Sequence, residues 1–287
     1  MAAELAEQPE VLGRLVARHA ADREQVRAVL PSAHAGTVLL ARGSSDNVAV
    51  YGRYLIEMAS RRPAGLAAPS LHTRYQADVD YSGYLVVALS QSGATPEVVE
   101  TAASMRQAGA AVIAIAIANE PGSPLTQVGE LALLTEAGPE LAVPATKTVT
   151  AQMLAVAAIA AAYDSSLVAA ADLAALPGAV ASLLADSAAS GGSRHSDTLA
   201  DRWADARRLV VTGRGLAYAA ALETALKIKE TAQVHAEGLS SADLLHGPIT
   251  APILATVRGQ QFALASSLRR GLNPDAPAGL SKVTATH

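Results

Sequence analysis

The spacing of apolar positions changes character several times along the chain. Leu12, Leu15, Val16 and His19, followed by Val26, Val29 and Leu30, recur at helical intervals, which predicts one or two amphipathic helices ending before Pro31. Beyond that point short apolar runs alternate with helix-like stretches. Residues 38–41 read as a strand, ARGSSDN as a loop and residues 48–60 as a helix; residues 84–89, the loop SQSGAT and residues 96–108 repeat that order, and residues 112–117 supply another strand. Strands alternating with helices predict a parallel sheet covered on both faces.

Helix-like segments follow at 148–163 and 169–189, and SGGSRHSD at 190–197 reads as a flexible break. After it, residues 209–212 read as a strand, GRG as a turn and 216–232 as a helix, echoing VLLARGSS and its helix in the first half. The predicted fold is therefore α/β, with two copies of one unit whose parallel sheets are flanked by helices in a three-layer, flavodoxin-like arrangement. The expected organisation is an N-terminal helical segment at 1–36, a first unit at 37–189 and a second, shortened unit with a C-terminal tail at 198–287.

Composition narrows the possibilities. Of 287 residues, 51% are hydrophobic but only 3% aromatic, so Ala, Val and Leu must fill the core, as suits helices packed closely on a sheet. A net charge of −4 and a pI near 6.0 provide no basic field to recruit nucleic acid or an anionic membrane, and no basic helix-turn-helix is apparent. Having no cysteine, the chain can form no disulfide, thiolate metal site or cysteine nucleophile. None of the seven histidines has metal-ligand spacing, so neither metal nor cofactor is expected. The N-terminus lacks an apolar signal core, and the run at 108–119 is too short to span a bilayer; a cytoplasmic protein is expected.

Two places carry candidate chemistry. In LSQSGATPE, Thr95 is placed as an N-cap, Pro96 takes the first helical position, and Glu97 lies in the first turn. Backbone N–H groups at that helix end, with the hydroxyls of Ser90, Ser92 and Thr95 and the amide of Gln91, can wrap a phosphate; the stretch equally fits a tight strand-to-helix turn. The second place is Glu223, Lys227 and Glu230, which share one helix face. Such a stripe is commonly a solvated ion-pair ladder, but Ala219 to Leu222, Ala225, Leu226, Ile228 and Ala232 make this helix apolar nearly all round, so the charges need a polar cleft.

SQSGATPE after a strand, preceded by RGSSDNVAVYGRYLIE and followed by GPELAVPATKTVTAQM, resembles the sugar isomerase (SIS) family. EQP near the N-terminus, ALETALKIKETAQVHAEG, LLHGP and the closing GLSKVT extend the resemblance over nearly the whole chain, to the isomerase half of glucosamine-6-phosphate synthase and stand-alone SIS-type deaminases. The resemblance implies that Gly43, Ser44 and Ser45 join Ser90, Gln91, Ser92 and Thr95 around a sugar phosphate, with Val143, Thr146 and Lys147 lining the pocket. It implies Glu230 as the base moving a proton between C1 and C2, with Glu223 and Lys227 in support. His246 would open the sugar ring from the neighbouring subunit of a homodimer with shared active sites, and Lys282 matches a lysine able to form a Schiff base with an open-chain ketose. Arg42 stands where the synthase typically has a cysteine.

Family members have more strand and helix between HGP and the C-terminus than residues 249–271 can supply, so the second sheet is expected to be incomplete. With no glutaminase half and no cysteine in these residues, the expected reaction is deamination and isomerisation of glucosamine 6-phosphate. The alternatives are a ketose/aldose phosphate isomerase, a fructosamine-phosphate deglycase, or a non-catalytic sugar-phosphate sensor. The partner is then a phosphorylated amino sugar or ketose, held at one phosphate site per chain.

Overall fold

Two helices, α1 (Ala2–Ala6) and α2 (Gln8–Val29), open the chain and end before Pro31, as the spacing predicts. The computed structural model describes residues 1–31, 34–116, 121–185, 195–240 and 251–280. These divide into two compact units. One is drawn from Arg14–Pro139 and Ala151–Ala169, the other from Met1–Gly13, Glu140–Thr150 and Ala170–Lys282.

The first of these units holds β1 (Gly36–Leu40), α3 (Ser44–Ser60), β2 (Ala64–Leu66), α4 (Ser70–Thr73), β3 (Tyr84–Ser90), α5 (Pro96–Gln107), β4 (Ala111–Ala116), α6 (Pro124–Val128), β5 (Leu131–Leu134) and most of α7 (Lys147–Tyr163). Its five strands are all parallel, in the order β2-β1-β3-β4-β5. From Leu85 to Ser90, β3 is buried at every position, which is why it reads as a continuous apolar run and not as an alternation: helices cover both faces of its sheet. Leu40, Val86 and Ala88 pack there with Val98, Ala102 and Met105 of α5.

The second unit contains α8 (Ala170–Ala185), α9 (His195–Arg202), β6 (Arg208–Gly213), α10 (Leu216–Lys227), a π-helical turn (Ile228–Ala232), β7 (His235–Ser240) and α11 (Ala251–Arg269). Among the described residues its sheet has β6 and β7, paired in parallel, against five strands in the other unit. A core of Ala225, Ile228, Ala232, Val234, Ala236 and Ala263 joins α10, β7 and α11. An apolar cavity of about 540 Å³ runs along β6, lined by all of Arg208 to Thr212 and by Phe262; none of the described candidate site residues lines it.

The repeat read from VLLARGSS and its echo is visible in the backbone. Gly43 before α3 has φ 61° and ψ −132°, and Gly215 before α10 has φ 59° and ψ −131°. Only glycine adopts this region without strain, and it lets each chain turn straight from a strand into a helix. Helix α3 consequently starts at Ser44, and the residues read as a loop form its first turn, with Asp46 N donating to the Gly43 carbonyl at 3.0 Å. The segment 216–232 also differs from expectation. Its last turn is π-helical, with the Thr231 hydroxyl donating to the Lys227 carbonyl at 2.8 Å and lying 3.0 Å from the Ala263 carbonyl, so a side chain intervenes in the main-chain ladder.

Among the described residues, Ser165–Ala185 is long and apolar enough, by length and composition, to cross a membrane, with a mean hydropathy of 1.9. Only 22% of that window is buried in the described protein, Leu173, Leu176 and Val180 of α8 among it.

Candidate functional site

In the five-stranded unit, β1 and β3 are neighbours in register, with Leu40 beside Ala88. Their C-terminal ends lead into two turns, one running into α3 through Gly43 and one into α5 through Thr95. Ligands of open parallel sheets bind outside the carboxyl ends of the strands, at helix N-termini. The chain therefore places Ser44 and Ser45 in the first turn of α3, while Ser90 closes β3 and Gln91, Ser92 and Thr95 lie in the turn beyond it.

The hydroxyls first shape the turn itself. Ser90 is buried, and its Oγ accepts from Gly93 N at 3.1 Å and lies 3.3 Å from Thr95 Oγ1. Ser92 Oγ accepts from Ala94 N at 3.2 Å. Thr95 occupies the N-cap position and Pro96 the start of α5, but the Thr95 side chain makes no capping hydrogen bond and is turned to Ser90 instead. The Val98 N–H that it might have capped is taken by the Thr95 carbonyl at 3.1 Å.

In the other unit, Glu223 and Lys227 of α10 are buried and Glu230 of the π-helical turn is partly buried. Lys227 is fully enclosed, and its Nζ lies 2.5 Å from Glu230 Oε2 and 3.4 Å from Glu223 Oε1. The Glu223 side chain is 2% exposed and that of Glu230 is 21% exposed, so Glu230 is the member of the cluster most open to solvent. Burial by itself would drive the ammonium toward neutrality, but Glu223, Glu230 and Glu140 together outweigh it and hold the Lys227 pKa above its ordinary value. The cluster is a desolvated acid–base set and not the solvated ladder that its spacing also allows.

The same unit fixes the segment carrying Val143, Thr146 and Lys147, one main-chain amide at a time. Leu141 N and Ala142 N donate to Glu4 Oε1 at 2.6 and 3.0 Å, and Val143 N donates to the Asp275 carbonyl at 2.9 Å. Buried Glu140 accepts from Thr146 N at 2.8 Å and from the Thr148 hydroxyl at 2.6 Å. Lys147 is 1% exposed and pairs with Glu7 at 2.5 Å. Gln8 accepts from Thr150 Oγ1 at 2.8 Å and donates to Gln260, which itself donates to the Thr146 carbonyl at 3.1 Å. The EQP motif, Glu7 and Gln8 at its head, thus fastens the segment 146–150. Sequence reasoning did not single out Glu4, Glu140 or Gln260; only the position of Glu140 inside GPELAVPATKTVTAQM hinted at it.

His246 and Lys282 lie outside the described residues. Among the described residues no group of three or more His, Asp or Glu side chains is arranged to hold a metal ion.

A parallel sheet with hydroxyl-bearing turns at the ends of its central strands defines a class of α/β proteins suited to phosphate-bearing ligands. Residues 33–162 and 203–252 match the SIS domain family, and the chain belongs to that family. The isomerizing glutamine–fructose-6-phosphate aminotransferase of Pyrococcus horikoshii is 32% identical over 252 residues, covering 87% of this chain and 41% of that protein. The chain thus spans less than half the length of this relative. A Silicibacter pomeroyi protein assigned as a phosphosugar isomerase superposes with a TM-score of 0.82 at 28% identity, over 96% of this chain and 99% of that one. The C-terminal domain of glucosamine-fructose-6-phosphate aminotransferase from Francisella tularensis gives the same TM-score at 23% identity, over 96% and 97%, and shares the fold.

Proposed function

We propose that this chain is an aldose–ketose isomerase of phosphorylated sugars that converts glucosamine 6-phosphate and water to fructose 6-phosphate and ammonia. The observation that carries the reading is the buried cluster on α10, in which Glu230 alone is partly exposed beside a charged, enclosed Lys227. In the open-chain aldose, Glu230 removes the C2 proton, the electron pair forms the C1–C2 double bond of an enolamine, and the C1 carbonyl pair moves to O1, which takes a proton from water. The same carboxyl returns the proton to C1, leaving an imine at C2 that water hydrolyses to the ketone with release of ammonia. Sequence resemblance assigns ring opening to His246 and a carbonyl-trapping role to Lys282, and suggests a homodimer as the active species; sedimentation as a single chain would count against the dimer.

Phosphate recognition falls to the turn between β3 and α5 with the first turn of α3. Replacing Ser90 and Ser92 together by alanine is expected to weaken glucosamine 6-phosphate binding by about tenfold to a hundredfold, the net loss of one hydrogen bond to a charged group at roughly 1.5–3 kcal/mol, since both hydroxyls are also engaged within the turn. Calorimetric titration measures this, and unchanged affinity would remove the turn from the site. The reaction is tested by following ammonia and fructose 6-phosphate on addition of glucosamine 6-phosphate. Formation of neither, with fructose 6-phosphate also left unisomerised, would overturn the proposal.

A further inference from the structure

Arg42 lies between β1 and Gly43, and its guanidinium makes a two-point fork on Glu97. Nε donates to Oε2 at 2.7 Å and Nη2 to Oε1 at 2.9 Å. Glu97 belongs to the first turn of α5, whereas Arg42 precedes the first turn of α3, so this pair ties together the two turns at the ends of β1 and β3. Arg42 also acts electrostatically on Asp46, in the first turn of α3. One guanidinium therefore forks onto an acidic residue at the N-terminal end of α5 and acts electrostatically on another at that of α3.

That placement raises a charge problem. A carboxylate in a helix's first turn draws on the same positive helix end that a phosphate would use, and repels a phosphate brought there. We propose that Arg42 is a positioning and charge-compensating residue of the phosphate site, neutralising Glu97 and Asp46 while bracing the two turns, so that both helix ends accept a dianion. The inference rests on the phosphate-binding reading above. Arginine suits the task because its planar fork satisfies both carboxylate oxygens while the side chain stays 44% exposed toward a ligand; lysine would supply charge without the fork.

The test is calorimetric titration of glucosamine 6-phosphate, inorganic phosphate and unphosphorylated glucosamine into wild type, Arg42→Met, Arg42→Lys, Glu97→Gln and Arg42→Met/Glu97→Gln, with melting curves for each variant. Arg42→Met is expected to weaken both phosphate ligands about tenfold, corresponding to roughly 1.4 kcal/mol. Removing the Glu97 charge in that background should recover most of the loss. Arg42→Lys should fall between wild type and Arg42→Met. A brace acting by geometry alone predicts that the double variant binds as poorly as Arg42→Met, and that result overturns charge compensation, as does wild-type affinity in Arg42→Met. If wild type binds unphosphorylated glucosamine as tightly as its 6-phosphate, the phosphate-site reading itself fails and the inference falls with it.

Discussion

Replacing Lys227 by methionine is expected to destabilise the protein by about 3–5 kcal/mol, the usual consequence of removing one partner from a buried ion pair. The reason lies in what remains. Methionine fills similar volume, but Glu223, buried at the centre of α10, loses the cation that holds its charge. Denaturant titration measures the loss through the shift in midpoint. Adding Glu223→Gln to Lys227→Met should restore part of the stability, since the charge that Lys227 compensated is then removed as well. A Lys227→Met midpoint within experimental scatter of wild type would mean that the three charges are not energetically linked.

Glu230→Gln should shift the balance the other way, with a smaller loss of stability, because Lys227 keeps Glu223 and Glu140, and a large change in turnover. Glutamine keeps the shape and a hydrogen-bonding oxygen toward Lys227 but cannot hold the transferred proton. Loss of a positioned acid–base group is expected to lower kcat by about 10²–10⁴-fold with KM nearly unchanged, because the substrate's phosphate is not held by this residue. Exchange of the C2 hydrogen with deuterated solvent gives an independent reading of the same step and should fall in parallel. If kcat falls while solvent exchange at C2 persists, the base lies elsewhere and Glu230 serves a later step. The contrast with the Ser90 and Ser92 substitutions, expected to act on binding, separates chemistry from recognition within one set of variants.

Much of this arrangement was legible in the residues, and the exceptions have physical causes. β3 and α5 announced themselves because six consecutive buried positions and a threonine–proline helix start leave little alternative. The α10 stripe was readable because i, i+4 spacing is a local property of a helix. β2 and β5 escaped notice because segments of three and four residues give no period to detect. β7 reads HAEGLS, with a charge and a glycine, and its exposure pattern leaves most positions open, so it looks like a loop until β6 pairs with it. Glu4 and Glu140 look like ordinary solvated acids in the sequence. Their role comes from contacts that no local pattern encodes, such as the reach of Glu4 to amides 137 and 138 positions away.

The π-helical turn at Ile228–Ala232 makes chain length a structural variable at this point. In an α-helix each residue advances the side-chain direction by roughly 100°, whereas a turn closed between residues five apart accommodates one residue more than its α-helical equivalent. Glu230 sits inside that turn, and Gln233 leaves it in the left-handed conformation at φ 53° before β7 begins. Loss of one residue between 228 and 232 would let the segment relax to an ordinary α-helix while every amino acid of the acid–base set was still present, yet Glu230 would point along a different bearing from Lys227. Members of a lineage could therefore lose or retune this chemistry through a single codon's insertion or deletion, a change that a comparison of residue identities alone would record as a gap.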